Sequence, residues 1–256
     1  MLKHSEAKIF LADQRGISET PACRSRQTFN FGHFFHEHKM AFGDLYAMND
    51  DELAGGGSLE SQVQENSLIV LLPLAGAVMY SDDNEQRTLL AAGQVLVVPA
   101  HRGMQFTITN AFRNEPANVL QIWFRSDNEI DSTAPEPITF TDVNSQINTL
   151  MPIPEMKATD PGLPFSLYIG KFNGRGETSF TPQPGESTFV FIIEGAFEVE
   201  GRLLHARDGL GFRNSETLEI EALSNDALML VSCSRKCAKE AKTQSLYSAS
   251  LHQISG

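Results

Sequence analysis

Two stretches of this 256-residue chain read as copies of one another, and that repeat constrains the fold more than any other feature. Residues 68–80 read LIVLLPLAGAVMY and residues 188–200 read TFVFIIEGAFEVE. Each is followed by a polar hairpin and then by LLAAGQVLVVP or LLHARDGLGF. Gly76 and Ala77 align with Gly195 and Ala196, and Leu89 and Leu90 with Leu203 and Leu204, with a longer hairpin in the first copy. A strand of this kind must turn at the glycine, return with a polar edge, and turn again before Gly93 or Arg207. Each turn calls for a residue that tolerates left-handed backbone or bonds its own main chain. Sheets folded back in this way close as a small double-sheet barrel of the jelly-roll kind.

Between the copies, residues 127–137 (DNEIDSTAPEP) are acidic and proline-containing with almost nothing apolar, the composition of an exposed connection. The expected organisation is therefore two consecutive barrels, residues 1–130 and residues 131–256. The remaining apolar stretches, QVLVVPA from Gln94, QFTITNAF from Gln105 and NVLQIWF from Asn118, have the length and Val/Ile/Phe/Thr content of strands. Only residues 234–245 (SRKCAKEAKTQS) suggest a helix, short and largely polar. The class is all-β with a short C-terminal helix.

Composition excludes several functions. A net charge of -12 without any basic block disfavours direct binding to nucleic acid, which needs clustered Lys and Arg. The first residues, MLKHSEAKIFLADQRG, lack the apolar core of a signal peptide. The longest apolar run, residues 68–80, is too short for a bilayer and contains Pro73. No membrane association and a cytoplasmic location are expected. Cys23, Cys233 and Cys237 make no disulfide framework, and a lone C-x3-C pair is weak support for zinc.

The chain resembles the pirin family of two-barrel cupins. The resemblance rests on RQTFNFG (residues 26–32), similar to the family's Arg-His-Thr-Phe-Ser-Phe-Gly, and on MAFGDL (residues 40–45), similar to Met-Gly-Phe-Gly-Pro-Leu. It continues with Asn49, Asp50 and Asp51 before Gly55–Gly57, with LQIW at 120–123, and with FVFIIEGA at 189–196. These motifs run in order over nearly the whole chain. The resemblance implies a pocket in the first barrel and, in many members, one iron or other divalent metal held by three histidines and a glutamate. Some members oxidise flavonols such as quercetin, and others act as redox-dependent transcriptional cofactors through protein contacts.

Those ligands are not matched here. Counting back from the Leu74-Ala-Gly turn, the first two histidine positions fall on Gln62 and Gln64, and the other two ligands on Phe106 and Ile108. The general cupin spacing moves the third to Met104. Neutral amides are poor ligands, and Phe and Ile offer no lone pair. No metal cofactor is expected. The four positions are read as pocket-lining, the glutamines bonding a polar ligand or each other and the Phe and Ile making the cavity apolar or closing it. His101, on the corner before them, is a rim candidate for acid–base chemistry or a plain solvent-facing histidine. The second barrel offers only His205.

HFFHEHK, residues 33–39, gathers His33, His36, Glu37 and His38. It falls on a polar segment of the family pattern outside the ligand positions, so it reads as a surface loop rather than a metal site. The preferred expectation is a bicupin without the metal, binding a small molecule in the first barrel or regulating a protein partner. The alternatives are a quercetin 2,3-dioxygenase-like oxidoreductase with rearranged ligands, and a metal-independent isomerase or lyase using His101.

Overall fold

The computed structural model of the protein describes residues 6–126, 135–154, 163–213 and 216–235. Its first twelve strands are β1 (Glu6–Phe10), β2 (Gly16–Glu19), β3 (Cys23–Gln27), β4 (Leu45–Leu53), β5 (Ser58–Gln62), β6 (Ser67–Ala75), β7 (Ala77–Asp82), β8 (Arg87–Ala91), β9 (Gln94–Ala100), β10 (Gln105–Asn110), β11 (Ala117–Arg125) and β12 (Ile138–Thr139). Then follow β13 (Met151–Pro152), β14 (Phe165–Phe172), β15 (Glu177–Phe180), β16 (Glu186–Glu194), β17 (Ala196–Val199), β18 (Arg202–His205), β19 (Gly209–Arg213), β20 (Leu218–Ala222) and β21 (Ala227–Arg235). Among the described residues no helix is long and apolar enough to cross a membrane.

The repeat seen in sequence is a repeat of topology. The first barrel pairs a sheet containing β9-β6-β11-β4 with a second sheet ordered β5-β10-β7-β8. The second barrel pairs β19-β16-β21-β14 with β15-β20-β17-β18, the same order ten strands later. Even the irregularities coincide. The register between β6 and β11 skips Leu74, and that between β16 and β21 skips Ile193, one residue of the bulge in each copy. Both bulges run into a glycine at positive φ, Gly76 at +77° and Gly195 at +78°. A Cβ on either would press on the first residue of the neighbouring strand, Ala117 at 3.1 Å or Ala227 at 2.8 Å. The turn and its close approach explain both glycines.

Strands cross the expected division at residue 130 in both directions. β1 pairs with β19 of the second barrel, and β12 pairs with β9 of the first. The helix expected from Ser234 does not start there, because Ser234 and Arg235 close β21. Residues 236–245 lie outside the described residues. Strand propensity and the paired register on β14 and β16 outweigh a locally polar pattern.

The central strands of the two larger sheets, such as β4, β6, β11 and β16, are buried on both faces. On β11, Leu120, Ile122 and Phe124 join a core shared between the barrels, where Phe124 stacks on Phe165 at 4.2 Å. The alternate residues Val119 and Trp123 belong to the interior of the first barrel. The junction also carries one buried ionic cluster. Asp50 accepts from Arg15 at 3.3 Å, from Arg207 of the second barrel at 3.2 Å, and from Asn118 at 2.8 Å. Arg207 holds φ +70°, the conformation Gly93 takes at +86° in the first copy. A side chain there costs about 1–2 kcal/mol. The strain is offset by the guanidinium, which also donates to the Ile193 carbonyl at 2.8 Å and to Asn118 Oδ1 at 3.4 Å.

Candidate functional site

The two barrel interiors differ in kind. That of the second is almost wholly apolar, with Phe172, Phe197, Phe212 and Met229 among its members and the Thr188 hydroxyl bonded to the Cys233 thiol at 3.6 Å. That of the first has one polar wall, built where β3, β4 and β11 lie side by side. Pairing sets Gln27 opposite Asn49 and Asn49 opposite Gln121, a row of three amides across three strands. Residues two apart on a strand share a face, so the next row on that face is Ser25 and Asp51.

These groups are mostly bonded to each other. The Trp123 indole N–H donates to Gln121 Oε1 at 3.1 Å, and Gln121 Nε2 donates to Asp51 Oδ2 at 2.7 Å. Ser25 also bonds the Asp51 carboxyl, and its oxygen accepts from Gln27 Nε2 at 3.1 Å. Three buried acceptors are left over: Gln27 Oε1, Asn49 Oδ1 and Asp51 Oδ1 have no donor. Asp51 is fully buried. Burial pushes its carboxyl up to about 6, aided by the neighbouring charge of Asp50, while the bonds from Ser25 and Gln121 act in the opposite sense.

Above the amide row opens a cavity of about 490 Å³ lined by Gln27, Asn49, Gln121 and Trp123 together with Phe31 and Tyr46. Phe31 meets Trp123 edge to face at 5.2 Å. The rim includes Glu60, Gln62, Gln64 and His33. A polar wall that bonds itself, with aromatic side chains lining the same open space, is the construction of a small-molecule site.

Gln62 and Gln64 reach this cavity only at its edge. On β5 the inward residues are Leu59 and Ser61, which face Ile108 and Phe106, whereas Gln62 is exposed opposite Gln105. The same phase carries Val63 into the core and leaves Gln64 exposed, its amide 3.5 Å from the Gln62 carbonyl. Phe106 and Ile108 are core residues, 2% and 0% exposed, with Phe106 packed on Trp123 and Tyr80. Met104 is buried beside them. His101 sits on the turn closed by the Met104 N–H to His101 carbonyl bond, exposed, and its ring meets only the Arg102 carbonyl.

In HFFHEHK the three histidines, Phe35 and Glu37 are exposed, Phe34 is half-buried and Lys39 is buried. Within it His36 Nδ1 accepts from the His38 N–H at 3.1 Å and His38 lies 3.4 Å from Glu37. Its first histidine, His33, nevertheless stands on the cavity rim. His205 is exposed on β18. Cys23 and Cys233 are buried free thiols, each pushed up to about 12 by burial, while Cys237 lies outside the described residues. Among the described residues, no three His, Cys, Asp or Glu side chains group closely enough to hold a metal ion.

The residues that build the site were not singled out from sequence. Asn49, Asp51 and Gln121 stood there only as markers of a resemblance, and Ser25 and Gln27 not for the pocket at all. The usable signal was a polar residue set within a strand otherwise apolar and buried on both sides, as Gln121 is between Val119 and Trp123.

Residues 11–124 match the family model described as Pirin, and residues 165–232 match the model described as Quercetinase C-terminal cupin domain. A pirin-like protein of Caulobacter vibrioides is 25% identical over 225 residues, covering 86% of this chain and 96% of its own length. A quercetin 2,3-dioxygenase of Escherichia coli is 20% identical over 219 residues, covering 86% and 95%. The crystal structure of the bacterial pirin YhhW from Escherichia coli in complex with nickel(II) superposes with a TM-score of 0.78 at 18% identity, covering 91% of this chain and 100% of that one. At that identity the likeness is one of fold.

Proposed function

This chain is a bicupin of the pirin family, and from that premise we propose that its first barrel has given up the family's metal to become a binding pocket for a small organic molecule. The protein then acts as a ligand-binding or regulatory protein, without metal-dependent catalysis. One observation carries this reading: the inward face beside the cavity bears Ser61, Phe106 and Ile108, while the opposite wall bears a self-bonded row of amides with spare acceptors. The first set offers no imidazole, thiolate or carboxylate, so it does not fit iron or nickel. The second fits a ligand held by hydrogen bonds. The regulatory side of the proposal has a protein partner as its readout and no direct contact with DNA, in keeping with the charge of -12.

The names of relatives such as the quercetin 2,3-dioxygenase of Escherichia coli favour a second reading, metal-dependent oxidation with rearranged ligands. Elemental analysis separates the two. Protein made without a histidine tag, incubated with iron(II) or nickel(II) and then desalted, is expected to retain far less than one equivalent. A His33→Ala/His36→Ala/His38→Ala variant removes metal held loosely by the exposed loop. One tightly held equivalent that survives in that variant, together with oxygen uptake on adding quercetin, would overturn the proposal.

A further inference from the structure

The cavity wall also specifies what kind of molecule it takes, an inference that rests on the first barrel being a ligand pocket. Three of the wall's donors are used internally, Gln121 Nε2 on Asp51, Gln27 Nε2 on Ser25 and Ser18, and the Trp123 indole on Gln121, which leaves the Asn49 amide outside this network. The acceptors are not, since Gln27 Oε1, Asn49 Oδ1 and Asp51 Oδ1 lack partners. A primary amide can rotate to present either its oxygen or its nitrogen, so Gln27 and Asn49 adapt to a ligand of either sense. A carboxylate cannot, so Asp51 sets the sign of the site.

Among the described residues no cation neutralises Asp51. Arg15 and Arg207 are taken up by Asp50, whose side chain projects from the other face of β4. The groups bearing on the Asp51 carboxyl are Ser25, Gln121 and the like charge of Asp50. The rim adds a further acid, Glu60. Asn49 and Asp51 are two residues apart on one strand, so their backbones are about 7 Å apart, and the Asp51 carboxyl sits behind the amide row, 2.7 Å from Gln121 Nε2. From there, in a medium screened from water, it acts strongly on whatever charge sits on the row. Phe31, Tyr46 and Trp123 then supply the aromatic side of the cavity, which suits a flat cation.

We infer that the first barrel binds a planar, nitrogen-rich cation of the aryl-amidine or amino-heterocycle class, its N–H groups on Asn49 and Gln27 and its charge held by Asp51. A buried carboxylate with no counter-ion repels carboxylate and phosphate ligands. A phenol or catechol presents an acceptor lone pair with every donor and brings no charge.

Trp123 is the one tryptophan of the chain, so its fluorescence reports on this wall. The full-length protein is titrated with benzamidine, benzoate and catechol as probes, with calorimetry on the same samples. Saturable binding of benzamidine alone, weakened more than about tenfold in Asp51→Asn, is the expected result. The variant keeps the size of the side chain, and its melting temperature and near-UV circular dichroism check its fold. Asn49→Leu gives an independent arm, with the same loss expected from the removal of one acceptor. If catechol or benzoate binds and benzamidine does not, or if Asp51→Asn leaves benzamidine binding unchanged, the ligand class is wrong while the pocket stands. If no probe gives a saturable signal, the class and the pocket reading both fall.

Discussion

Asp51 makes the clearest stability test, because its environment is one-sided. Buried without a counter-ion, its carboxyl is raised from 3.8 to about 6. A raised carboxyl means that the folded protein holds its proton more tightly than the unfolded chain does. The associated stability is complete below about pH 4 and is lost as pH rises through about 6. At 1.36 kcal/mol per pH unit the loss amounts to about 3 kcal/mol at neutral pH. Asp51→Asn removes the charge but keeps an oxygen for Gln121 Nε2. It leaves an unpaired N–H where an ionised oxygen lacked a donor, the smaller penalty of the two.

The variant is therefore expected to be more stable than the wild type at pH 7.5, by up to about 3 kcal/mol, or roughly 6–12 °C in melting temperature for a chain of this size. Near pH 4 the difference should nearly vanish, because the folded carboxyl is then neutral and the unfolded one is close to its own midpoint of 3.8. Thermal and urea unfolding of both proteins at pH 4, 5, 6 and 7.5 would measure it, and taking the difference between them cancels every other titrating group. Two results would refute the reasoning: a variant less stable at pH 7.5, or a difference that stays constant across the series.

Three further changes test the architecture. Gly195→Ala places a Cβ at positive φ hard against Ser224 Oγ and 2.8 Å from Ala227 Cβ, whereas Gly76→Ala meets nothing nearer than Ala117 Cβ at 3.1 Å. Both should destabilise, by about 1–2 kcal/mol for the left-handed backbone alone, with Gly195→Ala adding about 1–3 kcal/mol of overpacking. Urea midpoints in the reverse order would contradict the close approach. Asp50→Ala leaves Arg15, whose side chain is 5% exposed, and Arg207 facing each other without their shared acid. A loss of about 3–5 kcal/mol is expected from thermal unfolding. A loss below about 1 kcal/mol, the range of a surface pair, would show that the cluster does not hold the barrels together.

What the sequence determined by itself was whatever depends on local order. Alternating and continuous apolar runs marked the strands, glycines marked the turns, and two copies of one pattern implied two barrels of one topology, which the structure repeats down to a shared bulge. The ligand positions were legible only in part. Counting from Gly76 fixes position along the chain but not phase, and a slip of one residue on a strand exchanges its faces. Phe106 and Ile108 therefore fell inside, and Gln62 came to the rim while Ser61 took the inward place.

The tertiary structure decided the rest. A strand such as β11, buried on both faces, does not record which face looks into a barrel and which joins the core between barrels. Nor does local sequence record that β1 leaves its own barrel to pair with β19, since that register is set by partners some two hundred residues away. The amide row is of the same origin. Gln27, Asn49 and Gln121 are distant in the chain and unremarkable singly, and they become one acceptor wall only when three strands are laid side by side.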